Sequence, residues 1–353
     1  MEVLTSILDQ RAKRKHSDKI DRIIKQDSKK LWKGCKILLL GSEKSGKSTI
    51  VKQMKVMYRN GFSREELLGY RLTIYRNVIE SAQAIVNAMQ RLGLGPDPVL
   101  LANRADADMI LDYRIDESPH FTFSQEISLA IHRLWQDSII PQILAYSSEF
   151  DLMDNASYFL SEVLRIGKPD YTPTVADVLF AQRRSVGIVE TQFTLGQLSI
   201  HMIDIGAVSC DRRKWIHYFE YVTCIMFCAA LNEYDQVLEG GQNRMSESLV
   251  HYESVANSRW FRRMSVILCF TKFDLFKHKI PKVPLEDYFP EYTEGPHVYK
   301  AARFILSKFI EVSGGMKVHP HFIQASHVVD ILPIYGSIKD AILRNALHDA
   351  GIF

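Results

Sequence analysis

The chain reads as an α/β fold: a parallel-rich sheet that opens on a phosphate-binding loop and is interrupted by an all-helical insert. Three observations carry this expectation. First, the apolar run Ile37-Leu38-Leu39-Leu40 leads into Gly41-Ser42-Glu43-Lys44-Ser45-Gly46-Lys47-Ser48, followed by Thr49-Ile50-Val51-Lys52-Gln53-Met54-Lys55 at helical spacing. Second, from about Gly61 to Tyr171 the periodicity is helical, punctuated by Pro96, Pro98, Pro119, Pro141 and Pro169. Third, from Val186 onward short apolar runs of strand length alternate with helical patterns.

In chain order, Leu4 to Trp32 has no Pro or Gly. Leu4, Leu8, Ile20, Ile23, Ile24 and Leu31 give it a broken apolar stripe beside basic residues from Arg11 to Lys33. It reads as a helix over residues 1–33, either a solvated surface helix or a partner-binding arm whose basic face also suits an anionic membrane surface. Next comes the strand–loop–helix at Ile37. Gly41 and Gly46 free the backbone to curl so that successive N–H groups meet one anion, and the following helix adds its positive end. Lys47 is placed to reach the β- and γ-phosphates and the Ser48 hydroxyl to bind Mg²⁺. An ordinary Gly-rich turn is the alternative, but it leaves the Lys-Ser pair at the helix start unexplained.

Ile74, Val78, Ile85, Met89 and Leu92 then repeat at helical spacing, as does the segment from Ile127 to Trp135, so residues 61–179 are assigned to the helical insert. Expected strands follow at Leu198 to Ile203, Val222 to Leu231, Val266 to Phe270 and Phe322-Ile323, and a last helix runs from about Asp330 to Leu347. Pro333 and Gly336 are expected to weaken its first turns and, with them, the grip on a nucleotide.

Composition narrows the function classes. The 353 residues, 46% hydrophobic, suffice for two cores. A net charge of +3 gives no global argument for nucleic acid, and none is expected as a partner. The five cysteines, Cys35, Cys210, Cys224, Cys228 and Cys269, show no paired metal spacing and sit largely in apolar runs, which points to reduced thiols in an intracellular protein. No run reaches membrane-spanning length. Position 2 is Glu and no Cys lies beside it, so no N-terminal lipidation signal is expected and membrane contact should be peripheral, at the cytoplasmic face through partners.

Long strings carry a resemblance: Gly46-Lys47-Ser48-Thr49-Ile50-Val51-Lys52-Gln53-Met54-Lys55, Gly187-Ile188-Val189-Glu190-Thr191, Arg213-Lys214-Trp215-Ile216-His217 with Phe219-Glu220, and the terminal Gly351-Ile352-Phe353. Nearly end to end, the chain resembles the α subunit of heterotrimeric G proteins. The resemblance implies a Ras-like P-loop GTPase domain, residues 34–60 and 180–353, with GTP or GDP and Mg²⁺ bound between it and the helical insert. It implies nucleotide contacts at Glu43, Lys44, Ser45, Gly46, Lys47, Ser48, Thr49, Ala207, Thr271, Lys272, Asp274 and Ala325. The metal set would be Ser48, Ser185 and Asp204, the last through water. Asp274 would read the guanine edge and the Lys272 stem would cover the base face. A β–γ dimer would dock on the N-terminal helix, Ile188, Glu190, Lys214, Trp215 and His217. A G-protein-coupled receptor would take the C-terminal helix through Leu347, Ile352 and Phe353, and a downstream effector is expected that the sequence does not name.

The departures from the family pattern matter as much. Its water-orienting Gln is Val208 and its in-cis arginine finger falls on Gln182; the alternative, that the adjacent Arg183 or Arg184 swings in as a substitute, still leaves the water unpositioned. The P-loop glutamate that pairs with that arginine is Lys44, the small residue before it is Glu43, the switch glycine is Ala207, and the guanine-reading Asn is Thr271. Within the family such an arginine accounts for about 10³–10⁵ in rate, or about 4–7 kcal/mol. The sequence therefore implies a guanine-nucleotide switch with very slow hydrolysis. The alternative is a pseudo-GTPase that holds β–γ or a receptor with little nucleotide dependence. An unrelated P-loop kinase or ATPase leaves the switch and C-terminal strings without a reason.

Overall fold

A computed structural model of the full chain describes residues 34–59, 61–93, 101–116, 118, 121–145, 150, 152–183, 187–195, 198–205, 222–237, 241–261, 264–324 and 327–349. The expected N-terminal helix, and the expected site residues Ser185, Ala207, Val208, Lys214, Trp215, His217, Ala325, Ile352 and Phe353, lie outside them.

The chain enters on strand β1, Gly34–Gly41, and turns through the phosphate-loop motif into helix α1, Lys47–Tyr58. Eight further helices follow: α2 Arg64–Leu68, α3 Arg71–Arg91, α4 Leu101–Asp112, α5 Gln125–Trp135, α6 Ile140–Ala145, α7 Ala156–Ser161, α8 Val163–Ile166 and α9 Val175–Phe180. Strands β2, Ile188–Leu195, and β3, Leu198–Ile205, come next. The rest alternates: β4 Cys224–Ala230, α10 Arg244–Ala256, β5 Ser265–Thr271, α11 Phe273–Lys279, α12 Val298–Glu311, β6 Val318–Phe322 and α13 Val328–Asp349.

The six strands form one sheet in the order β2-β3-β1-β4-β5-β6. Every neighbouring pair is parallel except β2 with β3, which run antiparallel from Ile188 opposite Ile205 to Leu195 opposite Leu198. Between them lie only residues 196–197, too short a link for the crossover that parallel strands need. Strand β6 lies earlier than the expected Phe322-Ile323. Its His319-Pro320-His321 centre hides the strand from a propensity reading, and an edge position tolerates the proline that a central strand would not.

The central strands alternate between the sheet's two faces. Leu38 and Leu40 of β1, Phe227 of β4 and Phe270 of β5 pack on one side with α10, α11 and α12 through Tyr252, Phe276 and Phe309. Ile37 and Leu39, Met226 and Ile267 pack on the other with Ile50 and Met54 of α1 and Ile334 and Ile338 of α13. Burial on both faces is why these strands read as continuous apolar runs. The helices from α3 to α8 keep a separate core built on Ile74, Val78, Ile85, Ile131 and Phe159, and it reaches Ala181 just past α9. Strand order reverses at β1, which lies between β3 and β4. A crevice at the carboxyl ends of the strands around such a reversal is where open α/β sheets bind ligands.

A candidate nucleotide and metal site at the carboxyl end of β1

The loop between β1 and α1 has a shape its sequence demands. Gly41 sits at φ 140°, and a Cβ there would lie 2.2 Å from the carbonyl oxygen of Cys228, so β1 and β4 close up only over a glycine. Lys44 at φ 61° and Gly46 at φ 86° are also left-handed, which curls the chain back on itself. Gly46 is the N-cap of α1 and supplies no side-chain cap, so the first-turn N–H groups keep an opening that an anion can fill.

Lys47 folds over this loop. Its ammonium donates to the carbonyl oxygens of Gly41 at 3.0 Å and Ser42 at 2.6 Å. Burial pulls its pKa below the usual lysine range, against the attraction of Asp204 and Glu43. The Ser48 hydroxyl donates to Oδ2 of Asp204 at 3.1 Å, joining α1 to the end of β3. Asp204 is 5% exposed, and among the described residues its Oδ1 has no hydrogen-bond partner. Burial pushes its carboxyl up, while Lys47 and Ser48 pull it back. A hydroxyl beside a carboxylate with one orphaned oxygen is the donor set a hard, oxygen-seeking divalent cation takes, so these residues fit Mg²⁺.

The third wall is the end of β5. Thr271 is fully buried, and its hydroxyl donates to the carbonyl oxygen of Ser45 at 2.8 Å. Lys272, at φ 56°, starts α11, and half-buried Asp274 occupies the first turn of that helix. The Lys272 ammonium bridges Oδ2 of Asp154 at 2.7 Å and Oε1 of Glu233 at 3.0 Å. Burial alone would lower its pKa, but the two carboxylates outweigh it and hold the ammonium above the ordinary range. Asp154 also accepts from Asn232 at 3.0 Å. It stands just before α7, so this pair ties the helical core to the sheet.

The chain matches the family described as G-protein alpha subunit over residues 14–342. It is 52% identical to the guanine nucleotide-binding protein alpha-3 subunit of Ustilago hordei over 347 residues, covering 98% of both chains. It is also 52% identical, over 98% of this chain and 80% of the relative, to a guanine nucleotide-binding protein subunit alpha of Cryptococcus neoformans. The alpha-3 subunit of Neurospora crassa is 48% identical over 96% of each chain. The chain belongs to the G-protein alpha subunits.

Guanine-nucleotide binding and signal transduction come with that membership. Gln182, expected from the sequence at the place of the family's arginine finger, is held by its backbone. Asn77 of α3 donates to the Gln182 carbonyl at 2.9 Å and accepts from the Gln182 N–H at 2.7 Å. One residue earlier, Lys52 of α1 donates to the Ala181 carbonyl at 2.6 Å beneath the ring of Tyr70. Burial lowers the Lys52 pKa to about 8. Arg183 is exposed next to Gln182. Glu43 is exposed, Lys44 and Thr49 are half-buried, and Ser45 is buried with its hydroxyl on the Ser42 carbonyl at 2.7 Å.

Among the described residues, those expected to meet partners lie on β2 and α13, and β2 starts close to the cleft, with Ile188 opposite Ile205 and Val189 opposite Asp204. Ile188 and Glu190 open β2 on the sheet edge, with Glu190 held by Nδ1 of His201 at 2.8 Å, and Leu347 is half-buried near the end of α13. Sequence reasoning missed Lys52, Asn77, Asp154 and Glu233. Asn77 had a signal: a polar residue inside the Ile74–Val78 stripe of an amphipathic helix must find a buried partner. The other three meet their partners through loops that spacing cannot see.

Proposed function

We propose that this alpha subunit binds GDP and GTP with Mg²⁺ at the cleft described above and works as a switch whose GTP hydrolysis is very slow. The observation that carries the reading is Lys47 over the loop carbonyls beside the Ser48–Asp204 pair with its orphaned oxygen. The curled loop and the uncapped start of α1 would bind the phosphate tail, with Lys47 turning from its carbonyls to the β- and γ-oxygens. Ser48 and Asp204, with Ser185, would hold the Mg²⁺, which supplies positive charge to those oxygens when bound. Asp274 would accept from the guanine ring N–H and exocyclic amine. Gln182 brings an uncharged amide to the place of the transition-state arginine, and Val208 brings no hydrogen-bonding group to the attacking water.

Partners follow the family pattern: a β–γ dimer at the edge of β2, with Lys214, Trp215 and His217, and a receptor at Leu347, Ile352 and Phe353. Residence at the cytoplasmic face of the plasma membrane would come through them. The direct test is chromatography of the ligand that heat releases from purified protein. GDP in about molar proportion is expected. Protein that carries no nucleotide and takes up no fluorescent GTP analogue with Mg²⁺ overturns the switch and leaves a binding module for β–γ or receptor.

A further inference from the structure

Helix α11, which carries Asp274 in its first turn, is only seven residues long. Phe276 roots it in the core, fully buried against Tyr234 with ring centroids 5.6 Å apart. A short helix held at one point is free to rock about it. Phe273 supplies a second point, three residues earlier on the same face, with its ring 6.2 Å from that of Phe276. That ring also reaches two other elements: Phe322 at the end of β6, 5.4 Å away, and Tyr299 of α12, 6.0 Å away and edge-on. Phe322 is stacked in turn on Phe270 of β5 at 5.3 Å. The Phe273 N–H donates to the Ile323 carbonyl at 3.3 Å and the Ile323 N–H to the Phe270 carbonyl at 2.8 Å, so the β5–β6 pairing continues up to the start of the helix. Tyr299 is 68% exposed, and the Lys277 ammonium stands 4.5 Å over the Phe273 ring, which places this second foothold at the rim of the core. Asp274 follows Phe273 directly, so the rotation of α11 sets the direction of its carboxylate.

We propose that Phe273 is a positioning residue for base choice: its ring, braced between Phe322 and Tyr299, fixes the rotation of α11 and so aims the Asp274 carboxylate at the guanine edge. This rests on the nucleotide reading above, in which Asp274 meets the base, and adds the group that aims it. A misaimed carboxylate no longer accepts from both guanine donors. The loss falls on guanine and spares adenine, which has no ring N–H beside its amine. A residue that served only the packing of the fold would weaken both nucleotides alike.

Two measurements decide it. Competition of GDP and ADP against a fluorescent guanine nucleotide reads the aim. Hydrogen exchange in nucleotide-free protein reads the hold, at the amides of residue 273 and Phe276, which close on the Ile323 and Lys272 carbonyls. In Phe273→Ala the ratio of GDP to ADP affinity should fall about tenfold with ADP affinity unchanged. The two amides, corrected for intrinsic rates, should exchange about tenfold faster while that of Phe227 in β4, which reports global opening, is unmoved. Phe273→Tyr keeps a ring in place and should match the parent in both. Tyr299→Ala removes one brace at an exposed site, where folding is not at stake, and should lower the ratio about threefold. Equal weakening of GDP and ADP in Phe273→Ala, a parent-like ratio or parent-like exchange there, or a loss in Phe273→Tyr as large as in Phe273→Ala would each overturn the proposal. Parent protein that binds GDP and ADP alike overturns the base reading itself and with it the aim, but not the hold, which the exchange decides without nucleotide.

Discussion

At position 44 the phosphate loop carries a lysine in the left-handed region, φ 61°, close enough to Asp154 to help hold that carboxylate ionised. The family's glutamate at this position would face Asp154 with like charge, so Lys44 changes the cleft's electrostatics as well as losing an arginine partner. With Gln182 and Val208, it is the chemical basis of the slow hydrolysis proposed above, and reversing all three is the fair trial. The triple variant Lys44→Glu, Gln182→Arg, Val208→Gln should cleave GTP in a single turnover at least about 10³-fold faster than the parent. An unchanged rate means that these positions are not catalytic in this chain. Base choice is tested separately. Asp274→Asn should lose most of the preference for GDP over ADP in competition against a fluorescent guanine nucleotide, because an amide no longer accepts from both guanine donors.

Helix α9 shows how one element is aimed. Asp177 caps it with Thr174 in a reciprocal box, takes both arms of Arg165 at 2.6 and 3.0 Å, and accepts from the hydroxyls of Tyr158 and Tyr171. Burial pushes this carboxyl up, and those donors outweigh it and hold it at about 2. A carboxyl depressed in the fold adds stability above its unfolded value of about 4 and loses it as pH falls toward 2. Asp177→Asn should therefore cost about 2 kcal/mol at neutral pH, at about 1.4 kcal/mol for each unit by which the carboxyl is depressed. Its gap from the parent in thermal unfolding should narrow between pH 4 and pH 2. A gap that stays constant over that window shows that the carboxylate's charge is not what holds α9.

Helix α13 runs unbroken through Pro333 and Gly336, where weakened first turns were expected. Ile331, Ile334, Ile338 and Ala341 are buried against the sheet, and tertiary burial outweighs the local cost of proline, about 3 kcal/mol. The sequence was legible where a strong local period or a rigid motif decided the structure: β1, the loop, α1, and the buried strands β3 to β5. It was poorly legible where edge position or tertiary contact decided, as at β6 and in the effect of Pro333 on α13, whose span was otherwise expected.

Across the whole molecule, two cores are joined by a few polar ties: Lys272 to Asp154, Asn232 to Asp154, Lys52 to the Ala181 carbonyl and Asn77 to the Gln182 backbone. The candidate cleft lies beside these ties, so a nucleotide's escape should depend on them. Asp154→Ala removes the acceptor shared by Lys272 and Asn232, and GDP should then dissociate several-fold faster, read by displacement of a fluorescent analogue. A rate equal to the parent's would place the barrier to release elsewhere. The Lys47–Ser48–Asp204 part of the site could be read from the sequence because it is a motif. The ties could not, because each is a pair of residues from distant segments with no pattern in either.

The Asn77 clamp has an evolutionary consequence. It holds residue 182 by its N–H and C=O, groups that nineteen of the twenty amino acids present alike, proline alone lacking the N–H. The segment's course is therefore indifferent to the identity of its side chain. A lineage can exchange a charged arginine for a neutral glutamine there and keep the same architecture, so enzymatic speed at this position can drift free of the selection that preserves the fold.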